Sequence, residues 1–260
     1  MQLPYKQLNT HLNQQTLLPV YLICSDVPLL VQESSDLIRE TARQQGFHQR
    51  ELLFVEPGFH WQTFTETADN FSLLNDKIII EIRNAKAKFD EQGTQALLRY
   101  LDNPPNDKRL LIITNKLTAA QQKTRWYKAI DRCGAVIPLW PLSTHELPAW
   151  IAQRFKAANL NADAESITLL AELTEGNLLA TQQSIEKLRL LYHNKPITSK
   201  AVSAIVSDNA YFTIFDLTEA ALMGASSRVV RILWGLYLLT KNQPHSSCGH
   251  SHVSYAHFIH

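Results

Sequence analysis

Glycine is scarce in this 260-residue chain: there are eight, and the first is Gly46. That scarcity excludes a phosphate-binding loop after the first strand. Such a loop needs GxxxxGK followed by Ser or Thr, because glycine backbone N–H groups must close around phosphates while a lysine reaches them. Here the first strand-like run, Val20-Tyr21-Leu22-Ile23-Cys24, leads into Ser25-Asp26-Val27-Pro28-Leu29-Leu30, which offers no such cradle. Cysteine is scarcer still. Cys24, Cys133 and Cys248 are odd in number and far apart, which excludes a disulfide framework and a CxxC ligand pair. Cys24 and Cys133 read as small buried apolar residues. No apolar run approaches the roughly 18 residues of a membrane span, and no basic-then-apolar leader opens the chain, so a cytoplasmic place and no membrane partner are expected. Charge of one sign is lacking too: 25 basic against 24 acidic residues leave a net +1 and no global footprint for nucleic acid. A protein is the more natural partner.

What is present is enough length for two or three domains and a 45% hydrophobic content, sufficient for real cores. Over the first 140 residues, short β-rich runs alternate with helix-length amphipathic segments, the pattern of a parallel sheet covered by helices. The strands are expected at Val20 to Cys24, Leu52 to Val55, Lys77 to Ile82, Arg109 to Thr114 and Ala135 to Leu139. Pro28 suits the first turn of a helix carrying Leu29, Leu30, Glu33 and Leu37. Thr118-Ala119-Ala120-Gln121 reads as a capping box before a helix that ends near Cys133 and Gly134.

After Trp140 the strand signal stops. Ser143-Thr144-His145-Glu146 opens a helix, Asp163 to Thr174 forms a second, and Gly176-Asn177 turns into a third on which Leu178, Ile185, Leu188 and Leu191 recur at helical spacing. Pro196-Ile197-Thr198 caps a fourth, ending near Val206. From Tyr211 an amphipathic helix is expected through Met223 and Gly224, and another from Ser226. The fold class is therefore α/β, then all-α. The layout is that of a nucleotide-switch ATPase with its catalytic parts absent: a P-loop-ATPase-like sheet without the P-loop, a small helical lid and further helices.

Three function classes compete on the residues alone. A degenerate nucleotide-binding protein, surviving as a protein-interaction module, is disfavoured by the missing loop and by Glu81, which stands alone where the strand Lys77 to Ile82 should end in an acidic pair. Asn115 sits where active relatives of this class place a phosphate-sensing residue, but reads here as a structural cap. A DNA-binding protein is disfavoured because Asp107-Lys108-Arg109 and Lys123-Thr124-Arg125 read as ordinary solvated faces. A protein contact is left. Phe71-Ser72-Leu73-Leu74 falls between a helix end and a strand, where side chains can project; from spacing alone, Leu73 and Leu74 fit the chain's own core better than a partner's pocket.

Several runs occur in an order that narrows the choice: Tyr21-Leu22-Ile23 with Asp26, Pro28-Leu29-Leu30 and Gln32-Glu33; Phe71-Ser72-Leu73-Leu74; Leu110-Leu111-Ile112-Ile113 with Asn115-Lys116-Leu117; Glu175-Gly176-Asn177-Leu178-Leu179-Ala180; and Ala221-Leu222-Met223-Gly224. Together they closely resemble the delta-subunit family of the bacterial DNA polymerase III clamp loader, from about Leu18 to Leu238. The resemblance implies a clamp-opening subunit of the polymerase holoenzyme that hydrolyses nothing, with no catalytic residue, cofactor or metal. It assigns Phe71, Ser72, Leu73 and Leu74 to a hydrophobic plug that enters a pocket on the beta sliding clamp and springs one ring interface open. The plug ends in Leu74 where clamp-binding peptides commonly end in Leu-Phe, and Asp69 and Asn70 stand where they carry glutamine. The implied domains are 1–142, an AAA-type α/β domain; 143–209, the lid; 210–238, the start of a collar; and 239–260, a tail unlike the family.

A complete collar would join gamma or tau and delta-prime subunits, and primed DNA would be met only in the assembled loader. In the tail, His245, Cys248, His250 and His252 are potential zinc ligands, but their spacing and polar flanks do not suit a structural site. A shifted reading frame explains the tail better. Reading from Leu239 to Ala256 with wobble bases free, seventeen shifted codons can spell DQEPAPLILWALTRELR, with the Glu-Pro, Leu-Trp-Ala-Leu and Arg-Glu-Leu-Arg that the family carries here. The chain is thus expected to be a frameshifted, truncated product, with the faces around Phe212, Phe215, Leu217, Leu222, Ile232 and Leu233 short of packing partners.

Overall fold

In the computed structural model the described residues are 1–14, 16–70, 77–193 and 195–207, together with 217–218, 221–224, 226, 229–230 and 232–233. The chain divides into two compact units, Met1–Pro141 and Leu142–His260.

The first unit is built on five parallel strands, β1 (Val20–Cys24), β2 (Gln49–Phe54), β3 (Ile78–Arg83), β4 (Lys108–Thr114) and β5 (Ala135–Pro138), in the order β2-β3-β4-β1-β5. Helices α1 (Tyr5–Gln14), α2 (Pro28–Gln44), α3 (Trp61–Asp69), α4 (Glu91–Asp102) and α5 (Arg125–Cys133) cover it. Alternation along each strand decides what each face buries. Val20, Leu22, Ile80, Ile82, Leu110 and Ile112 share one core with Trp61 and Phe64 of α3, Leu97 and Tyr100 of α4, and Trp126 and Ile130 of α5. Each fully buried Leu or Ile contributes about 1.5–3 kcal/mol before entropy is subtracted. On the opposite face Tyr21 meets α1, its hydroxyl 3.2 Å from His11 Nε2. Two glycines let elements approach: a Cβ on Gly93 would lie 2.3 Å from the Trp61 ring, and one on Gly134 would lie 2.2 Å from the Val20 carbonyl oxygen.

The expected strands are all present, Val20–Cys24 with the bounds expected and the other four with shifted ends. β2 begins three residues before Leu52, because Gln49, Arg50 and Glu51 are exposed on an edge strand and show no apolar alternation. The capping box also forms: Gln121 Oε1 accepts from Thr118 N at 2.8 Å, and Gln121 N donates to Thr118 Oγ1 at 3.3 Å. It opens only a 3₁₀ turn at Gln121–Lys123; extended backbone at Thr124 interrupts the chain before α5. Cys24 lies in the core, where burial pushes its thiol up to about 12 despite a hydrogen bond with Thr114. Cys133, expected buried, is only half so, and its Sγ lies 3.2 Å from Ala129 O.

The second unit contains α6 (Leu147–Ala157), α7 (Ala164–Leu173), α8 (Leu178–Leu191) and α9 (Ser199–Ser207). Its starts are capped as short polar residues dictate. Asp163 Oδ1 accepts from Ser166 N at 2.7 Å, Asn177 Oδ1 from Ala180 N at 3.0 Å, and Glu146 reaches back to Ser143 N at 3.1 Å. Gly176 supplies the positive φ, 82°, of the turn before α8. Leu147, Ile151, Phe155, Leu170, Ile185 and Leu188 form the interior. Leu191, expected on the same stripe, is 65% exposed. Beyond α9, Tyr211, Phe212 and Phe215 lie outside the described residues. Ile232 is fully buried, whereas Leu222 and Leu233 are exposed. The tail 239–260, with His245, Cys248, His250 and His252, is outside the described residues.

Candidate functional site

The two ends of the parallel sheet carry different chemistry. At the amino ends of the strands, α3 finishes at Asp69 and β3 begins at Ile78, so the candidate contact Phe71-Ser72-Leu73-Leu74 falls between them, outside the described residues. Its flanks are described. Asn70 closes α3, its N–H bonding Glu66 O at 2.9 Å. The Asn70 carbonyl accepts from Lys108 Nζ at 2.8 Å, and the same ammonium pairs with Asp107 Oδ2 at 2.8 Å. Lys108 is 1% exposed. A cation on the last carbonyl of a helix is favoured by the helix dipole. Arg99 reaches Asp69 at 2.9 Å across the surface, an exposed pair of small worth. On the other flank Ile78 N donates to Asp107 O at 2.9 Å, and Lys77 Nζ to Gln45 O at 3.1 Å.

Asp107-Lys108-Arg109 is therefore no solvated face. Arg109 is likewise held: its Nε donates to Leu17 O at 3.1 Å, and its guanidinium lies 4.8 Å from the Phe47 ring centroid. The period-two pattern Lys108, Leu110, Ile112 carried the signal, because it puts Lys108 on the core side of β4. In Lys123-Thr124-Arg125 the two cations are exposed, and Arg125 pairs with Glu91 at 2.9 Å.

At the carboxyl ends of the strands, where open α/β sheets bind ligands, a cleft of about 660 Å³ lies between the ends of β1, β3 and β4. Ser25, Asp26, Gln32, Arg39, Arg83 and Asn115 line it. Its polar groups are largely engaged within the protein. Asp26 Oδ1 accepts from Lys116 N at 3.1 Å, Ser25 Oγ from Val27 N at 3.0 Å, and Asn115 N bonds Ala85 O at 3.2 Å. Both arginines are drawn to Glu81. That residue does not stand at the strand end; it sits inside β3, is fully buried, and accepts Arg39 Nη1 at 2.9 Å, Arg50 Nε at 3.0 Å and Arg83 Nε at 2.9 Å. Burial pushes the Glu81 carboxyl up, but hydrogen bonds from Arg83, Arg39 and Arg50 and the charge of Arg39 outweigh it, holding the pKa below its ordinary value. This quartet is a cross-brace of the sheet. Its sequence signal was one carboxylate in the run Ile78-Ile79-Ile80-Glu81-Ile82, with Arg83 two residues on and so on the same face. No group of side chains suited to a metal ion occurs among the described residues.

The family described as "DNA polymerase III, delta subunit" matches residues 21–138. The DNA polymerase III subunit delta of Escherichia coli K12 is 32% identical over 237 residues, covering 90% of this chain and 68% of that protein. The subunit of the same name from Haemophilus influenzae is 31% identical, covering 89% and 67%. Among solved structures, the Bacillus subtilis DNA clamp loader delta protein superposes with a TM-score of 0.60 at 17% identity, covering 92% of this chain and 73% of that one. The Thermotoga maritima RuvB Holliday junction branch migration motor gives 0.50 at 11%, covering 82% and 72%. At those identities the structural likeness shows a shared fold and nothing further.

Proposed function

The chain belongs to the DNA polymerase III delta-subunit family, and we propose that it is the clamp-loader subunit that binds and opens the beta sliding clamp, without hydrolysing nucleotide. The observation that carries this is the state of the strand-end cleft. It has no phosphate loop, and its arginines are already committed to Glu81. Function then falls to the other end of the sheet, where Phe71, Ser72, Leu73 and Leu74 are the proposed contact and described residues anchor both flanks. Burying two leucines in a partner's pocket yields up to about 3–6 kcal/mol gross, much of it offset by lost freedom, so tight binding recruits a wider surface. The helical unit is read as the lid, with the start of a collar beyond it. Gamma or tau and delta-prime subunits would be the companions were the collar complete, primed DNA would be met only within that assembly, and the setting is cytoplasmic. Among the described residues no helix is long and apolar enough to cross a membrane.

The test is a clamp carrying a donor and an acceptor dye on opposite sides of its ring interface. Adding this chain should lower energy transfer in a saturable way, with or without ATP. An unchanged signal at saturating chain would overturn clamp opening.

A further inference from the structure

A second hollow opens beside the committed cleft, where three strand-to-helix connections meet: residues 55–60 after β2, 84–90 after β3 and 121–124 before α5. It holds about 780 Å³. Its wall is a run of aromatic rings in edge or tilted contact, Phe59 with Trp61 at 5.0 Å between centroids, Trp61 with Phe89 at 5.5 Å and Phe89 with Trp126 at 4.8 Å. The two tryptophans are buried in the core, whereas Phe59 and Phe89 are only half-buried and leave ring surface open.

The 84–90 connection is fixed by its own bonds. Asn84 Nδ2 donates to Lys88 O at 2.9 Å, Ala87 N to Asn84 O at 3.0 Å, and Gln121 Nε2 to the Lys86 and Ala87 carbonyls at 3.1 and 3.2 Å. Ala87 is buried with a φ of 48°, a left-handed conformation that a residue with a Cβ adopts at a cost in free energy. With Ala87 buried between them, Lys86 and Lys88 are exposed, and neither ammonium has an ion-pair partner among the described residues. Of the two carboxylates in the lining, Asp90 is engaged in capping α4 at Gly93 N, 2.7 Å away, and Glu56 belongs to the connection after β2.

We propose that this groove binds a single strand of nucleic acid, its bases stacking on Phe59 and Phe89 and its phosphates meeting Lys86 and Lys88. Bases stack on open ring faces whatever their identity, and the lysines supply the charge that a phosphate backbone needs. The apolar anchor of a peptide needs an enclosing pocket instead, and the tryptophan surface that would enclose it is buried. The inference goes beyond clamp binding and does not depend on it.

The experiment follows the fluorescence anisotropy of labelled dT15 on titration with the full chain, without clamp, from 50 to 200 mM salt, each variant being checked by thermal melting. Wild type should bind saturably. In Lys86→Gln/Lys88→Gln the slope of log affinity against log salt should flatten by about 1.4, the loss of two phosphate contacts on a single strand. Phe89→Leu keeps apolar volume without a stacking face and should bind about tenfold more weakly with the slope unchanged; if it melts too low to titrate, Phe59→Leu takes its place. An abasic strand of the same length should bind wild type about tenfold more weakly than dT15. Lys6→Gln/Lys128→Gln, two exposed lysines outside the groove, should change affinity less than about twofold. Binding of rU15 through the same residues sustains the inference, and its affinity relative to dT15 decides which nucleic acid the groove serves. No binding at 50 mM salt, equal losses in the Lys6/Lys128 variant, or an abasic strand bound as well as dT15 would overturn it. So would a labelled polyglutamate carrying one phenylalanine that binds through Lys86, Lys88 and Phe89 where dT15 does not, which would assign the groove to an acidic peptide. Each of these failures leaves the clamp reading untouched.

Discussion

The two ends of this sheet began from the same material, strand termini joined to helices by short loops, and they have been used in opposite ways. At the carboxyl end the polar groups face inward and satisfy one another: Glu81 with three arginines, Asp26 with the Lys116 amide, Asn115 with the Ala85 carbonyl. At the amino end the described residues stop at Asn70 and resume at Lys77, and the six residues between them in the sequence include two leucines and a phenylalanine. The difference teaches that charges at one rim of a parallel sheet can be satisfied by each other, so that on the proposed reading the clamp contact falls to the other rim.

Altering each end separately is the way to break that comparison. The largest effect is expected from Glu81→Gln, which leaves Arg39, Arg50 and Arg83 around a neutral group. Urea unfolding should lose about 3 kcal/mol, while the folded fraction keeps its clamp affinity. A loss of affinity without a loss of stability would reverse the roles assigned to the two ends. Next comes the amino end: Leu73→Ser with Leu74→Ser should weaken clamp binding about a hundredfold, part of the gross burial term, with no change in melting temperature.

A smaller effect comes from pH. Glu81 is held below its ordinary 4.5 in the folded protein, so the stability it contributes is complete above that value and is lost as pH falls through the lower folded pKa. Acid unfolding followed by circular dichroism should show this limb in the wild type and a flatter one in Glu81→Gln. Smallest is Asp163→Ala, which removes the α7 cap in the helical unit and touches neither end of the sheet. It should cost about 1 kcal/mol of stability and nothing in clamp affinity.

Much of the fold was legible because apolar runs report burial directly. Val20 to Cys24 is buried along its whole length and was placed to the residue, whereas β2, exposed at Gln49 to Glu51, was legible only from Leu52. The capping box at Thr118 was legible too, and Asp163 and Asn177 stood at expected helix starts, where short polar side chains bond backbone amides a few residues away. The two buried charges were not. Lys108 and Glu81 resemble surface residues until strand register shows which face they occupy, and their partners lie 38 and 42 residues away in the chain at Asn70 and Arg39. The candidate contact itself was named from resemblance and order of motifs. Its flanking anchors came only from the three-dimensional arrangement.

The most direct test of the central claim is the affinity of the full chain for the sliding clamp, measured by surface plasmon resonance with and without magnesium-ATP, for wild type and for the Leu73→Ser/Leu74→Ser variant. The account predicts saturable binding by the wild type, the same within error when ATP is present, and binding about a hundredfold weaker in the variant. Binding that needs ATP, or undiminished affinity in the variant, would contradict it.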